Sequence, residues 1–234
     1  MKPKAMIALL REVGPHGFVQ AIRGRAWSES LSFGLACDLS DIPPARTPKI
    51  AVVMDPSTPQ SFTGFADELG RVTGDDYIEV DQRVRLCDAA VAGLHVATDP
   101  EGRPVYAQWL IDSASQDALH GATHGQFPHL APDETLVEGA YTFVDFRKLG
   151  AMAEGMRQLL VKAEAKGAAR CYTYVAIENV PSLRGCANAG FDLDHTRVTT
   201  SRAGRRRVLR RPPLPQERAQ WEAAIKPKPR ASAA

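Results

Sequence analysis

The turn after the apolar stretch Tyr141–Val144 carries two basic residues and a glycine, RKLG at residues 147–150. Residues 149–166 then repeat apolar side chains at helical spacing, so the turn joins a predicted strand to a predicted helix. A helix N-terminus has unpaired N–H groups and a partial positive charge, and so it binds anions. We predict an anion site, where a basic side chain adds charge and Gly150 lets the backbone come close. A solvated helix start is the alternative.

Three histidines form a second candidate group, because His120 and His124 are four residues apart and His129 follows soon after. On a helix the first two would share a face and could bind a metal ion. The glycines and the proline within HGATHGQFPH argue against a stable helix, so we predict a plain loop without metal. A loop beside a substrate site, with a histidine as base, is the other alternative.

The run Arg205–Arg207, with Arg210 and Arg211, concentrates positive charge near the end of the chain. Such a run could meet nucleic acid or an anionic lipid. No aromatic residue is interleaved with these arginines, which argues against nucleic acid. We therefore interpret them as charges that protect an edge hairpin from pairing with another chain.

Composition sets broad limits on the class of protein. The chain has 234 residues, 44% hydrophobic and 24% charged, with a formal net charge of +2, ordinary values for a globular protein with one core. The four cysteines are scattered without a C-x-x-C pair, which argues against a zinc or redox site. We find no signal-peptide pattern and no run of about eighteen apolar residues, and we predict a cytoplasmic protein without a membrane span.

The apolar pattern predicts the elements that must position these groups. Strands are predicted at residues 29–39, 49–54, 95–98, 105–111, 134–144 and 169–177, with a final hairpin at 191–202 and 205–211. Helices are predicted at residues 55–70, 77–93, 149–166 and 179–190. This order predicts an α/β fold with a mixed sheet and one strand–helix–strand crossover near its centre.

Three regions follow each other along the chain. We predict an N-terminal extension at residues 1–48, a central domain at 49–211 and a basic flexible tail at 212–234. Within the extension, residues 1–28 predict a basic amphipathic helix that is broken at a Gly-Pro pair. That helix is interpreted as solvated and packed on the domain, with a membrane-surface or substrate-covering helix as the alternative.

Two motifs resemble those of the GCN5-related N-acetyltransferase (GNAT) superfamily, and the resemblance covers roughly residues 49–210. In that family a strand ends in [Gln/Arg]-x-x-Gly-x-[Gly/Ala], and the next helix binds the pyrophosphate of coenzyme A; RKLGAM at 147–152 is similar. The second family motif has Asn, a small residue, Tyr and Gly-Phe at fixed spacing, and here it reads Asn179, Ser182, Cys186, Gly190, Phe191. The resemblance implies a GNAT-like α/β fold with a mixed, mostly antiparallel central sheet flanked by helices, and it makes residues 49–211 an acyltransferase domain.

The resemblance also implies acetyl-CoA, or another acyl-CoA, as co-substrate, with no metal. The cofactor-binding residues that it implies lie on the strand end, the turn, the next helix and the second motif: Thr142, Phe143, Val144, Arg147, Lys148, Leu149, Gly150, Ala151, Met152, Asn179 and Ser182. Two positions depart from the family pattern. Met152 stands where Gly or Ala is usual and could crowd the phosphates; the alternative is a register that differs by one residue, with Ala153 in that position. Cys186 stands where the family often has a tyrosine as general acid.

Acetyl transfer to an amine needs a base for the amine and a proton for the leaving thiolate. Glu138, on the strand before the turn, is the candidate base; a carboxylate that only binds a basic substrate or pairs with an arginine is the alternative. Tyr141, three residues on, faces the opposite side of an ideal strand unless a bulge intervenes. Cys186 is the candidate proton donor, and a buried packing cysteine is the alternative.

We therefore expect an N-acyltransferase that moves an acetyl group from acetyl-CoA to a small-molecule or peptide amine by direct attack. A longer acyl-CoA or an acyl-carrier protein is the alternative donor, and the basic segments would contact such a carrier. A catalytically silent domain that binds a partner through its basic end is the alternative outside enzymes. The sequence leaves open the acceptor, because loops supply acceptor residues, and also leaves open a homodimeric state.

Overall fold

The structure is a computed structural model that describes residues 27–45, 47–202 and 205–226. The helix predicted at 1–28 lies outside the described residues, except for its last two positions, which begin a strand. The turn of the final hairpin, at 203–204, and the end of the predicted tail also lie outside them. In the described part, no helix is long and apolar enough to cross a bilayer.

Eight strands form one sheet in the order β2-β3-β4-β5-β6-β1-β7-β8. Only β5 and β6 run parallel, and every other neighbouring pair is antiparallel, which confirms the predicted mixed, mostly antiparallel sheet. The strands, in chain order, are β1 Trp27–Asp38, β2 Asp55–Pro56, β3 Leu94–Thr98, β4 Pro104–Asp112, β5 Glu134–Thr142, β6 Arg170–Ala176, β7 Asp192–Arg202 and β8 Arg205–Arg211.

Six α-helices in the described part cover the two faces of this sheet. They are α1 Gly64–Leu69, α2 Gly74–Asp88, α3 Gln116–Thr123, α4 Ala151–Ala165, α5 Val180–Ala189 and α6 Pro215–Ile225. On one face, Phe65 of α1 stacks on Trp109 of β4, with ring centroids 5.7 Å apart. On the other face, α4, α5 and α6 pack side by side, and Trp221 of α6 meets Phe33 of β1 edge-on.

Strands β5 and β6 separate soon after they begin. They pair from Glu134 with Arg170 to Leu136 with Tyr172, while β5 continues to Thr142. Beyond Leu136 the edge of β5 that faces β6 no longer has a strand partner there, and a cleft opens between the two strand ends. The crossover helix α4 and the helix α5 each begin beside this opening.

A bulge changes the direction of side chains at this point. Trp109 of β4 pairs with Glu138, and Ala107 pairs with Tyr141, so β5 has one residue more than β4 in this interval. Gly139 occupies the bulge at φ +67°, and a Cβ there would lie 2.8 Å from the Trp109 ring. The extra residue turns Tyr141 to the same face as Glu138, as a bulge was expected to do.

The predicted strand at 49–54 and the predicted helix at 55–70 are wrong for most of their length. Only Asp55–Pro56 pairs in the sheet, and only Gly64–Leu69 is α-helical in the second range. Gln158 of α4 takes the place of a strand neighbour, because its side chain accepts a hydrogen bond from Met54 N at 3.0 Å and donates one to Val52 O at 2.6 Å. A contact across such sequence separation leaves no local pattern.

The predicted boundaries also need correction at both ends of the central domain. Strand β1 belongs to the same sheet, between β6 and β7, although the sequence assigned it to an extension. The predicted flexible tail contains α6, whose Trp221 is buried and donates from its indole N–H to Asp192 Oδ1 at 3.0 Å. A large buried aromatic side chain with a matched acceptor helps to order this helix, and composition averaged over the segment concealed it.

Trp221→Ala should lower the free energy of unfolding by about 3–5 kcal/mol, because it removes a buried aromatic ring from between α6 and β1. The measurement is urea denaturation followed by circular dichroism. Arg218→Ala, at an exposed position of the same helix, is the matched control and should change stability by less than about 0.5 kcal/mol. Parent-like stability of Trp221→Ala would restore the interpretation of this segment as a flexible tail.

Glu217, at the start of α6, predicts a pH dependence of stability. Its hydrogen bond from Arg211 is the main cause that lowers its pKa from 4.5 to about 2, and bonds from Leu214 N and Thr196 Oγ1 add to the effect. A lowered pKa stabilises the fold above the unfolded value, and that contribution is lost as pH falls through the folded value. The stability difference between the parent and Glu217→Gln should therefore be largest near about pH 6 and shrink between about pH 4.5 and 2. A difference that stays constant across a pH series of denaturation curves would contradict this.

Candidate active site

The cleft between β5 and β6 has a volume of about 610 Å³. Its walls come from the end of β5, the turn before α4, the first turns of α4 and α5, and one face of α2. It brings together eight of the residues predicted to bind cofactor: Thr142, Arg147, Lys148, Gly150, Ala151, Met152, Asn179 and Ser182.

Three other predicted cofactor residues lie outside the lining of the cleft. Phe143 is buried against Phe65, with ring centroids 5.7 Å apart. The Val144 N–H donates to the buried Glu68 carboxylate at 3.0 Å, and the Leu149 carbonyl accepts from Lys49 N at 2.8 Å. These contacts hold the turn on the side away from the cleft, and the three residues do not line the cleft.

The turn before α4 has the geometry of an anion site. Lys148 and Gly150 both adopt left-handed backbone conformations, with φ of +65° and +87°. Gly150 is the N-cap of α4 and has no side chain with which to cap the helix. The first turn of this 15-residue helix lines the cleft, at the positive end of the helix dipole.

Arg147 does not supply the free positive charge expected of it. Its guanidinium binds Asp76 of α2 through two hydrogen bonds of 3.0 and 2.9 Å, and its Nε donates to Thr142 O at 3.3 Å. The hydrogen bond from Arg147 is also the main cause that lowers the pKa of Asp76. Arg147 therefore braces the turn against α2, while the exposed Lys148 and Arg184 of α5 are the other cations that line the cleft.

The second motif has a local structural explanation. Asn179 is the N-cap of α5, and its Oδ1 accepts a hydrogen bond from Ser182 N at 3.2 Å. The three-residue spacing of these positions is thus the spacing of a helix cap. Both residues line the cleft opposite the α4 turn, so the cap also fixes the second wall of the site.

Met152 is accommodated by a glycine on the neighbouring helix. A Cβ placed on Gly185 of α5 would lie 2.7 Å from Met152 Sδ, so the thioether occupies the space that a side chain there would need. This packing directs Met152 toward α5. The departure from the family pattern at Met152 is therefore matched by a small residue at position 185, which sequence spacing alone did not identify.

Glu138 lies on the sheet face that carries α1 and α2, where it is half-buried. Burial raises the pKa of its carboxyl group, while the positive charges of Arg197 and Arg83 act in the opposite direction. It does not line the cleft. It lies on β5 just before Ala140, the first residue of that strand in the cleft lining. A carboxylate with a raised pKa holds a proton more tightly, as a general base must.

Arg83 was not identified from the sequence, although it occupies a central position. It projects from α2 to β5, where Nε donates to Gly139 O at 3.1 Å and Nη2 donates to Ala140 O at 2.7 Å. Asp76, Glu79 and Arg83 are spaced three and four residues apart, which puts them on one face of α2. This polar stripe on a predicted helix was the signal in the sequence that could have revealed them.

Tyr141 lines the cleft, and its hydroxyl donates to Glu68 Oε1 at 3.2 Å. Burial and the charge of Glu68 raise its pKa to about 12. Cys186 is fully buried in α5, with Sγ 3.9 Å from Met156 Sδ of α4. Burial is the main cause that raises its pKa to about 12, followed by the charge of Glu138, and the thiol does not line the cleft.

The histidine segment differs from its prediction in one respect. Helix α3 forms over Gln116–Thr123 despite its glycine, and His124 ends it in a left-handed conformation at φ +54°. The ring of His120 stacks instead on that of His129, with centroids 4.3 Å apart. Among the described residues, no three His, Cys, Asp or Glu side chains are grouped so as to hold a metal ion.

Comparison with known proteins rests on structure alone. No protein-family model matches the chain. No curated protein matches it in sequence.

Solved structures do resemble the chain. An acetyltransferase of the GNAT family from Colwellia psychrerythraea superimposes with a TM-score of 0.51 at 12% identity, over 78% of this chain and 60% of that one. The GCN5-related glucosamine N-acetyltransferase region of a fungal multi-domain GH3 β-N-acetylglucosaminidase gives 0.52 at 16% identity, over 76% of this chain and 22% of that one. A Drosophila protein gives 0.52 at 8% identity, over 83% of this chain and 58% of that one.

The chain thus spans less than two thirds of the length of each of these proteins. The described residues have the fold of the GCN5-related N-acetyltransferases.

Proposed function

We propose that this protein is an N-acyltransferase that transfers an acetyl group from acetyl-CoA to an amine by direct attack. The observation that carries the proposal is the α4 N-terminus, whose first turn lines the cleft next to a turn built from two left-handed residues. Such a turn binds the phosphates of a nucleotide through backbone N–H groups. Acetyl-CoA, when bound, supplies the activated acetyl thioester.

The described residues fit this co-substrate. The N–H groups of the first α4 turn and the Lys148 ammonium would hold the pyrophosphate, and Asn179 and Ser182 form the facing wall. The reactive end would lie where β5 and β6 have separated, because that opening joins the cleft to the sheet face of Glu138. A thioester placed there would be within a protein-lined gap, which excludes bulk water from the reacting carbon.

Glu138 is the proposed base. The acceptor arrives as an ammonium and must lose a proton before its nitrogen can attack the thioester carbon. The N–C bond then forms, the C–S bond breaks, and the thiolate leaves with the electron pair and is protonated. Burial, which raises the Glu138 pKa, makes this carboxylate a better proton acceptor than an exposed one.

Cys186 is a poor proton donor to the leaving thiolate. Its pKa of about 12 exceeds the value near 8.5 of an ordinary thiol, so the proton transfer would run uphill. Its burial against Met156 supports the packing alternative. We propose that the leaving thiolate takes its proton from water or from the acceptor, which releases one.

We also propose that the protein lies in the cytoplasm. The four free cysteines are all buried thiols, which persist in a reducing compartment.

A small-molecule or peptide amine is the proposed acceptor, and a longer acyl donor is the alternative to acetyl-CoA. Competition between acetyl-CoA and a long-chain acyl-CoA for binding would separate the acetyl donor from the longer alternative.

Ala153→Glu should weaken coenzyme A binding by at least about tenfold and leave the fold intact. Position 153 lies in the first turn of α4 and lines the cleft, so a carboxylate there repels phosphate while it favours the helix dipole. Ala165→Glu adds the same charge at the exposed end of the same helix and is the matched control.

The measurement is calorimetry together with thermal unfolding. Coenzyme A at about one hundred times its dissociation constant should stabilise the parent by about 2.7 kcal/mol. Absence of binding by the parent at millimolar ligand would remove the transferase proposal, and equal binding by the two variants would move the phosphate site away from α4.

Glu138→Gln should lower kcat and kcat/KM for the amine together, by about a hundredfold or more, with coenzyme A affinity nearly unchanged. Cys186→Ser should keep the rate within several-fold, because we assign this thiol to packing. Steady-state kinetics with an accepted amine, or slow hydrolysis of acetyl-CoA as a substitute, provides the test. Parent-like turnover of Glu138→Gln would refute its role as base, and loss of turnover in Cys186→Ser alone would transfer proton donation to the thiol.

A further inference from the structure

A second pocket, which we call the basic pocket, lies between the loop after α3 and the edge strand β8. Its volume is about 380 Å³, and its charged or titratable lining consists of His120, His124, His129, Arg206 and Arg210. None of the described residues that line it is acidic. The pocket is on the face of the sheet opposite to α4, so it is separate from the cleft that we assign to coenzyme A.

The side chains of the basic pocket have few partners in the protein that offset their charge. The one side-chain bond found for Arg206 goes to the neutral amide oxygen of Gln126, at 3.2 Å. The Nε2 atom of His120 is buried without a hydrogen-bond partner among the described residues. The guanidinium groups of Arg206 and Arg210 repel one another, and an anion bound between them would relieve that repulsion.

A series of ring and cation contacts leads from the basic pocket to Arg197, whose charge acts on Glu138. Phe127 lines the pocket, and its ring lies 5.6 Å from that of Tyr174 on β6. The guanidinium of Arg197 on β7 lies over both rings, 5.5 Å from the Phe127 centroid and 4.2 Å from the Tyr174 centroid. The charge of Arg197 in turn acts on the Glu138 carboxyl group.

Arg197 itself is in an unusual environment for a cation. It is 6% exposed, and its Nε and Nη1 atoms have no hydrogen-bond partner in the described structure. Its one side-chain bond runs from Nη2 to Ser32 Oγ at 3.3 Å. Desolvation is the main cause that lowers its pKa, and the charges of Arg210 and Arg206 lower it further. The charge of Glu138 opposes these effects. Two further arginines therefore lie near enough to Arg197 to add positive charge around it.

We propose that the basic pocket binds an oxyanion, either phosphate or carboxylate, carried by the acyl acceptor. This inference rests on the proposed transferase function. The anionic end of the acceptor would be held by Arg206, Arg210 and the imidazoles, and its amine would extend along the same sheet face toward Glu138. Guanidinium groups bind both oxyanions through paired N–H donors, so the pocket would select anionic amines over neutral ones.

The alternation of β8 gives a test with a matched control. Arg206 and Arg210 line the pocket, whereas Arg205 and Arg207, on the same strand, point to the opposite face and are exposed. The double variants Arg206→Gln/Arg210→Gln and Arg205→Gln/Arg207→Gln therefore remove the same charge from two sides of one strand. The first probe is inorganic phosphate, titrated by calorimetry at constant ionic strength.

Phosphate should bind the parent and the Ala153→Glu variant alike, because the basic pocket is separate from the α4 turn. Arg206→Gln/Arg210→Gln should weaken this binding by at least about tenfold, and Arg205→Gln/Arg207→Gln by less than about twofold. Absence of phosphate binding by the parent, or equal loss in the two double variants, overturns the pocket. Loss of phosphate binding in Ala153→Glu alone overturns it as well, because the anion then sits at α4.

The acceptor is tested with pairs of primary amines that differ by a phosphate or carboxylate group, assayed with acetyl-CoA. Arg206→Gln/Arg210→Gln should raise KM for the anionic member by at least about tenfold, with kcat and the neutral member little changed. If phosphate binds in the pocket but anionic amines lose nothing in this variant, the pocket holds a free anion and its assignment to the acceptor is overturned. Failure of the transferase proposal is recognised separately, by the absence of coenzyme A binding, and the phosphate titration then still decides the pocket.

Discussion

The separation of β5 from β6 is the constraint on which the rest of the site depends. The two strands pair for three residues only, from Glu134 with Arg170 to Leu136 with Tyr172. A sheet that stayed paired would leave no room for a ligand between its strands. Because they separate, the backbone of β5 beyond Leu136 must find other partners or remain exposed to a ligand. Arg83 supplies part of the answer, since it donates to the carbonyl oxygens of Gly139 and Ala140.

The hydrogen bonds of Arg83 to β5 bring a nearly buried cation into the centre of the molecule. Its side chain is 12% exposed. Burial lowers the pKa of Arg83, and the nearby charges of Glu79 and Glu138 oppose that effect. Burial likewise lowers the pKa of Arg197, and the charge of Glu138 opposes that effect. The charges of these two arginines act on the Glu138 carboxyl group against the rise in its pKa that burial causes. The proposed base is therefore a carboxylate on which burial and two nearby cations act in opposite directions.

The local parts of the site could be predicted from the sequence, and the distant contacts could not. The α4 turn and the Asn179 cap depend on neighbours within a few residues, and the structure has both where the pattern placed them. The pairing of Arg147 with Asp76 spans 71 residues, and it engages one of the two basic side chains that the sequence offered to the anion. Gln158 replaces a strand partner across more than a hundred residues, and the buried Trp221 ties α6 to Asp192 across 29 residues. Each of these contacts requires knowledge of the fold before the partner can be named.

The sheet divides the site into two chemically different sides. On the side of α4 and α5, the cleft offers backbone N–H groups and the exposed Lys148, which suit a large, flexible, multiply charged ligand. On the side of α3 and β8, positive charge is concentrated around Arg197 and the basic pocket, which suits a compact anion. The opening between β5 and β6 joins the two sides. A donor and an acceptor that enter from opposite faces would meet in it, and neither would have to leave before the other arrives. On the transferase function that we propose, this arrangement would favour direct attack within a ternary complex, because no nucleophile of the protein would have to carry the acyl group from one side to the other.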